Sequence, residues 1–129
     1  MRHEYVIDVK RNLIRKTNRG PLSVAEEIEL ITRITDDPLF RRGMNAICDF
    51  TDGSAEWSLN EIDEFRAFVA KIKPVVGPCR WAIVIPHSEN RVTARIFIAL
   101  HSAFEDTIEV RLFDTVDEAI AWLETPVSA

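Results

Sequence analysis

Apolar and polar positions alternate along this chain in two rhythms, and the switches between them mark out its elements. Tyr5 to Val9 and Leu13 to Thr17 follow the two-residue rhythm of strands. The short Lys10-Arg11-Asn12 stretch between them predicts a hairpin turn. Asn18-Arg19-Gly20-Pro21 then breaks the pattern. From Ser23 the rhythm becomes helical, with Val24, Ile28, Ile31 and Ile34 on one side. Ser23 and Glu26 have the S-x-x-E spacing of a capping box, in which each side chain satisfies a free backbone N–H. Asp36-Asp37-Pro38 ends the helix, because proline cannot continue it.

Asn45 to Phe50 is a short apolar run that predicts a buried strand, and Thr51-Asp52-Gly53-Ser54 follows as a loop. A second capping box, Ser58 with Glu61, opens a helix with Ile62, Phe65, Val69 and Ile72 on its core face and Pro74 as its stop. Arg80 to Ile85 is almost continuously apolar, as in a central parallel strand covered on both faces. Pro86-His87-Ser88 turns the chain into a third helix, about Glu89 to Phe104. Ile108 to Phe113 sets Ile108, Val110 and Leu112 against Glu109 and Arg111, which predicts an edge strand with one wet face. Thr115 and Glu118 make a third box before a last helix carrying Val116, Ala119, Ile120 and Leu123. The tail after Thr125-Pro126 is expected to fray.

The order is therefore β-β-α-β-α-β-α-β-α. It predicts the α/β class, with a single mixed, mostly parallel five-stranded sheet and right-handed crossovers. The 129 residues make one domain, 1–129, with no linker, repeat or low-complexity segment. A hydrophobic share of 47% is enough for one real core. The net charge of −5 argues against nonspecific nucleic-acid binding, which relies on Lys and Arg neutralising phosphates. No apolar run approaches the ~20 residues that cross a bilayer, so no integral membrane segment is expected. The start, Met1 to Tyr5, leads into no apolar run of signal-peptide length, and a cytoplasmic location is expected. Cys48 and Cys79 sit in no CxxC pair and have no His at metal spacing. They read as buried or half-buried thiols of a reducing compartment, with no metal site and no cofactor.

Taken in order, several segments resemble the SpoIIAA-like group related to the STAS domains (sulfate transporter and anti-sigma-factor antagonist). They are Tyr5-Val6-Ile7-Asp8, Asp37-Pro38-Leu39-Phe40-Arg41, Ile47-Cys48-Asp49-Phe50-Thr51-Asp52, Arg80-Trp81-Ala82-Ile83-Val84, Val110-Arg111-Leu112-Phe113 and Asp117 through Leu123. The resemblance implies a SpoIIAA-like β/α superhelix without catalytic chemistry of its own. It also implies protein partners, switched by phosphorylation of a Ser at the start of the second helix, while some relatives are compared with lipid carriers. The family's Asp-Ser-Ser-Gly type segment is replaced here by Ser54-Ala55-Glu56-Trp57-Ser58-Leu59. Ser58 is the nearest positional match for a phosphorylation site.

The residues themselves offer further candidates. A helix N-terminus at Ser58 would stabilise an added phosphate, although its partner Glu61 also makes Ser58 a plain N-cap. Asp49, Thr51, Asp52 and Ser54 gather at the carboxyl end of a parallel strand, where α/β sheets bind ligands, and Trp57 could wall that site. The same residue types also make ordinary turns. Arg91 and Arg95 are four apart, and with Arg80, or with Arg41 and Arg42, they could hold an anionic group. The third helix is apolar around most of its circumference, through Val92, Ile96, Phe97, Ile98, Ala99, Leu100, Ala103 and Phe104. That excess points to burial on two sides, by a homodimer contact, by an apolar ligand or by the core. His87 beside Ser88 lacks the other parts of a hydrolase site, and no Gly-rich phosphate loop occurs.

The leading expectation is a noncatalytic binding or regulatory module for a protein partner, with a homodimer through the third helix. A small apolar-ligand or lipid carrier is the alternative. An enzyme ranks last, since no nucleophile, base and oxyanion donor come together.

Overall fold

The computed structural model describes residues 2–104 and 107–126. The chain opens with a hairpin of β1 (His3–Asp8) and β2 (Leu13–Pro21). At its turn the Arg11 N–H donates to Asp8 Oδ1 (3.1 Å), and Asn12 takes a left-handed conformation with φ 54°. Asn tolerates that region better than most residues. There follow α1 (Val24–Asp36), β3 (Asn45–Ser54), α2 (Leu59–Val76), β4 (Cys79–Val84), α3 (Val92–Phe104), β5 (Ile108–Phe113) and α4 (Val116–Leu123).

The five strands lie in the order β1-β2-β3-β4-β5. β1 is antiparallel to β2, and the other neighbours are parallel. This is the α/β class with the mixed, mostly parallel sheet that the hydrophobic rhythm predicts. Each parallel strand sits beside its predecessor in the chain. Right-handed crossovers that always step the same way lay their helices on one face. Accordingly, α1, α2 and α3 form one layer, with Ile31, Phe65, Val69 and Phe97 in a common core. No strand follows α4, and it covers the opposite face, where Ala119 meets Ile47, Ala82 and Val84. β4 is thus covered on both sides: Ala82 and Val84 face α4, and Trp81 and Ile83 face the three-helix layer.

Several element boundaries differ from the expectation. Asn18 to Pro21 and Thr51 to Ser54 do not form turns. They extend β2 and β3, pairing Arg19 with Asp52, Gly20 with Gly53 and Pro21 with Ser54 beyond a bulge after Thr17. Gly53 makes this approach feasible, because a Cβ there would lie 2.5 Å from the Asn18 carbonyl oxygen. Gly20 adopts φ 74° on the partner strand. These glycines mark a bulged, closely paired stretch of sheet, not a chain reversal.

Pro74 does not stop α2. The helix continues to Val76 and is capped by Gly77 at φ 69°, whose N–H donates to Lys73 O (3.0 Å). Pro74 has no N–H to give the Ala70 carbonyl four residues back, while its own carbonyl accepts from Arg42 Nε (3.2 Å). α3 begins at Val92, not Glu89. Glu89 N–H closes a turn onto Pro86 O (2.9 Å), and Asn90 Oδ1 takes the Val92 N–H (2.9 Å). A short polar side chain here competes with the helix for backbone donors.

The boxes at Ser23 and Ser58 form in both directions. The third forms in one only: Thr115 Oγ1 accepts from the Glu118 N–H (3.2 Å), but Glu118 answers to the Thr115 hydroxyl (3.1 Å) instead of the backbone. The fraying expected of the tail concerns residues 127–129, which lie outside the described residues. Among the described residues no helix is long and apolar enough to cross a membrane.

Candidate functional site

Successive strand residues point to opposite faces, so Ala46, Cys48 and Phe50 of β3 and Trp81 and Ile83 of β4 look toward the helix layer. The side chains between the layers do not close the space completely. A cavity of about 90 Å³ remains, floored by the sheet and roofed by α1, α2 and α3. Ile31, Phe65 and Phe97 reach it from the three helices, and Trp57 from the segment before α2. Small Ala46 and Ala94 in the wall leave room that larger residues would fill.

The wall is apolar apart from Thr35 and Thr93, whose hydroxyls bond to backbone groups, and one charged pair. In that pair the Lys16 ammonium, on β2, is in short contact with the Glu27 carboxylate, on α1. Both residues line the cavity, and they are only 3% and 4% exposed. Cys48 is the register partner of Lys16 on the next strand. Burial by itself would lower the Lys16 pKa, but the neighbouring Cys48 and Glu27 outweigh it and hold the ammonium above the ordinary lysine value. Burial pushes the Cys48 thiol up, and nearby Lys16 only partly opposes that. The raised values keep Lys16 an ammonium and Cys48 a protonated thiol at neutral pH. Two residues on from Lys16, Asn18 is fully buried with neither Oδ1 nor Nδ2 hydrogen-bonded among the described residues.

The sequence candidates scatter around this cavity. Trp57 and Phe97 are in its wall. Trp57 Nε1 donates to Leu22 O (2.9 Å), its backbone N–H donates to Thr93 Oγ1 (3.0 Å), and its ring packs on Phe65 with centroids 5.3 Å apart. Phe97 packs on Phe65 and on the buried His101 ring, and His101 Nε2 lies 2.8 Å from Ile108 O. Asp49 sits on the other face of β3. Its carboxylate accepts the Thr51 N–H (2.9 Å), the Thr51 hydroxyl (2.6 Å) and Arg15 (3.3 Å). Burial would raise its pKa, yet these bonds together hold it below the ordinary range. Asp52 and Ser54 are exposed on the extended end of β3, so the four polar residues do not converge on one point.

Ser58 caps α2, its hydroxyl taking the Glu61 N–H (3.2 Å) while the Glu61 carboxylate accepts the Ser58 N–H (2.9 Å). Arg91 precedes α3, with its guanidinium bonded to Ile85 O and Asp114. Arg95 is exposed on α3. Arg80 lies on the α4 side, bonded to Trp122 O (2.9 Å) and Thr125 O (2.7 Å). Arg41 and Arg42 hold the carbonyls of Pro38 and Pro74. Apart from Arg95, these arginines clamp separate pieces of backbone, and together they do not form one anion site. His87 is 82% exposed, 4.0 Å from Asp114. On α3, Ala94, Phe97 and His101 are buried, Ile96, Ile98 and Leu100 are half-buried, and Val92, Ala99 and Ala103 are exposed. The apolar excess of this helix is thus spent partly on the core and partly on an open outer side.

Lys16 and Glu27 are the residues that sequence reasoning missed, and a signal for them exists. Lys16 has the parity of Ile14 on an inward-facing strand. Glu27 lies between Val24 and Ile31 on the apolar stripe of α1. Opposite charges placed on two inward faces are the sequence signature of a buried pair.

No protein-family model matches the chain, and no curated protein matches it.

Proposed function

We propose that this chain is a noncatalytic binding module, of the SpoIIAA-like kind its segments resemble, that holds a small apolar ligand between its sheet and its helix layer. The observation that carries this reading is the cavity of about 90 Å³ walled by Ile31, Ile83, Phe65 and Phe97. Ligand sites are typically concave, mostly apolar and marked by a few polar groups. This one is far below the ~300 Å³ at which drug-sized sites begin, so its ligand is correspondingly small unless the helices part. The noncatalytic reading is supported by the Cys48 thiol, which burial keeps protonated, and by Asp49, which is engaged by Thr51 and Arg15.

A second reading, binding of a protein partner or a second copy through α3, draws on the outer side of that helix, where Val92 is 59% exposed. One experiment separates the two. Native mass spectra of freshly purified protein are compared with the denatured mass, and methyl resonances are followed under xenon pressure. The ligand reading expects extra mass lost on denaturation, or xenon shifts concentrated at Ile31 and Ile83. A clean dimer without such shifts transfers the case to the α3 interface. A clean monomer whose cavity methyls ignore xenon removes the ligand reading and the second-copy form of the α3 reading.

A further inference from the structure

The cavity wall is not uniformly apolar, and its polar group has a definite chemistry. Lys16 and Glu27 are buried together among apolar side chains. Taking both ions out of water is costly, and apolar residues of similar volume would commonly serve stability as well or better. An ammonium carries three N–H donors. Glu27 takes one of them. A second is turned to the Cys48 sulfur, a weak acceptor, which leaves the third without a partner among the described residues. Donor capacity therefore remains at mid-cavity, in the row formed by Lys16, Cys48 and Ile83 across three strands. Asn18 adds unused hydrogen-bonding atoms to the same buried stretch of β2.

The charge balance restricts what this group can receive. The Lys16–Glu27 pair is neutral as a whole. An anionic head would place a second negative charge beside Glu27 where little solvent screens it, and a cationic head would confront Lys16. An uncharged oxygen meets neither penalty and can accept the free Lys16 N–H. Size and shape restrict the remainder of the molecule. The volume is below the ~150 Å³ in which benzene is accommodated. The lining also follows the strands, from Trp81 past Ile83 to Ile85 along one of them.

On the proposed reading of the cavity as a ligand site, we infer that its ligand is a short, unbranched aliphatic molecule with one uncharged oxygen, a hydroxyl or carbonyl, hydrogen-bonded to Lys16 Nζ. The aliphatic part lies along the inner faces of β3 and β4 beneath Ile31 and Phe97. Glu27 keeps the ammonium charged and aimed, and so positions the donor.

The test uses the full chain and a matched series smaller than benzene: 1-propanol, sodium propanoate and propane under pressure. Binding is followed by the methyl resonances of Ile31, Ile83 and Ala94, in the wild type and in the double variant Lys16→Met/Glu27→Leu, which removes both charges and leaves neither ion unpaired. In the wild type, propanol should bind roughly tenfold tighter than propane or propanoate, since tenfold corresponds to one net hydrogen bond. In the double variant, propane binding should persist and the preference for propanol should vanish. Equal binding of propanol and propane to the wild type, tighter binding of propanoate, or a preference surviving in the double variant each overturns the assignment of the head group while leaving the cavity a ligand site. If no member of the series moves the cavity methyls of the wild type, the ligand reading itself falls. The wild-type comparison alone decides the matter should the double variant not fold.

Discussion

At the scale of single residues, opposite faces of the sheet use charge differently. On the helix side, Lys16 and Glu27 are a buried neutral pair. On the α4 side, Asp49 gathers Thr51 and half-exposed Arg15, tying β2 to β3. The depressed Asp49 pKa has a definite consequence for stability. A carboxylate whose folded pKa lies below its unfolded value near ~3.9 contributes stability above that value, and the contribution disappears as pH falls through the folded pKa. Asp49→Asn should therefore cost about 1–3 kcal/mol at neutral pH, the range for losing charged hydrogen bonds. The gap to the wild type should narrow below about pH 4. Urea titrations of both proteins across that range check this, and a gap independent of pH would show that the charge of Asp49 is not what stabilises. The candidate site was only half legible at this scale. Trp57 and Phe97 are visible as aromatic residues among apolar neighbours, whereas Lys16 and Glu27 look like ordinary surface charges until strand parity and helix spacing are read together.

At the scale of elements, local chemistry and close approach behave differently. The Ser23 and Ser58 boxes are contained within four residues, and both form as the spacing predicts. The ends of β2 and β3 depend on residues more than thirty positions apart, as in the pairing of Gly20 with Gly53. Asn18-Arg19-Gly20-Pro21 and Thr51-Asp52-Gly53-Ser54 have the composition of turns, and only their mutual pairing makes them strand. Gly53→Ala tests this directly. Its Cβ would meet the Asn18 carbonyl at 2.5 Å. The strands must then separate, at a cost of about 1–3 kcal/mol, the usual range for overpacking. A urea midpoint identical to that of the wild type would mean that the strands do not approach so closely.

At the scale of the whole molecule, coverage is uneven. β3 and β4 are hydrogen-bonded on both edges and covered by helices on both faces. β1 is an edge strand with Val6 exposed on its outer face, and α4 is a single short helix. Local opening free energies follow burial and backbone protection. Amide hydrogen exchange should thus be slowest in Ile47, Cys48, Ala82 and Ile83 and much faster in β1 and the end of α4. Uniform protection across the sheet would contradict this order. The cavity belongs to this scale too, for no single element contains it. It exists because three helices carried to one face by one-way crossovers meet a sheet whose inward residues include Ala46 and Cys48.

The sequence by itself determined the element order, the α/β class, the apolar faces and the two complete helix caps, because each depends on periodicity or on partners within about one turn. Tertiary structure alone decided that two turn-like segments are sheet, that Pro74 lies inside a helix and that Arg41, Arg42, Arg80 and Arg91 serve separate carbonyls. It also decided that a lysine and a glutamate eleven residues apart meet in the interior. The physical reason is the same in each case. These features are set by which surfaces come together, and the energy of that contact is not a property of either segment alone.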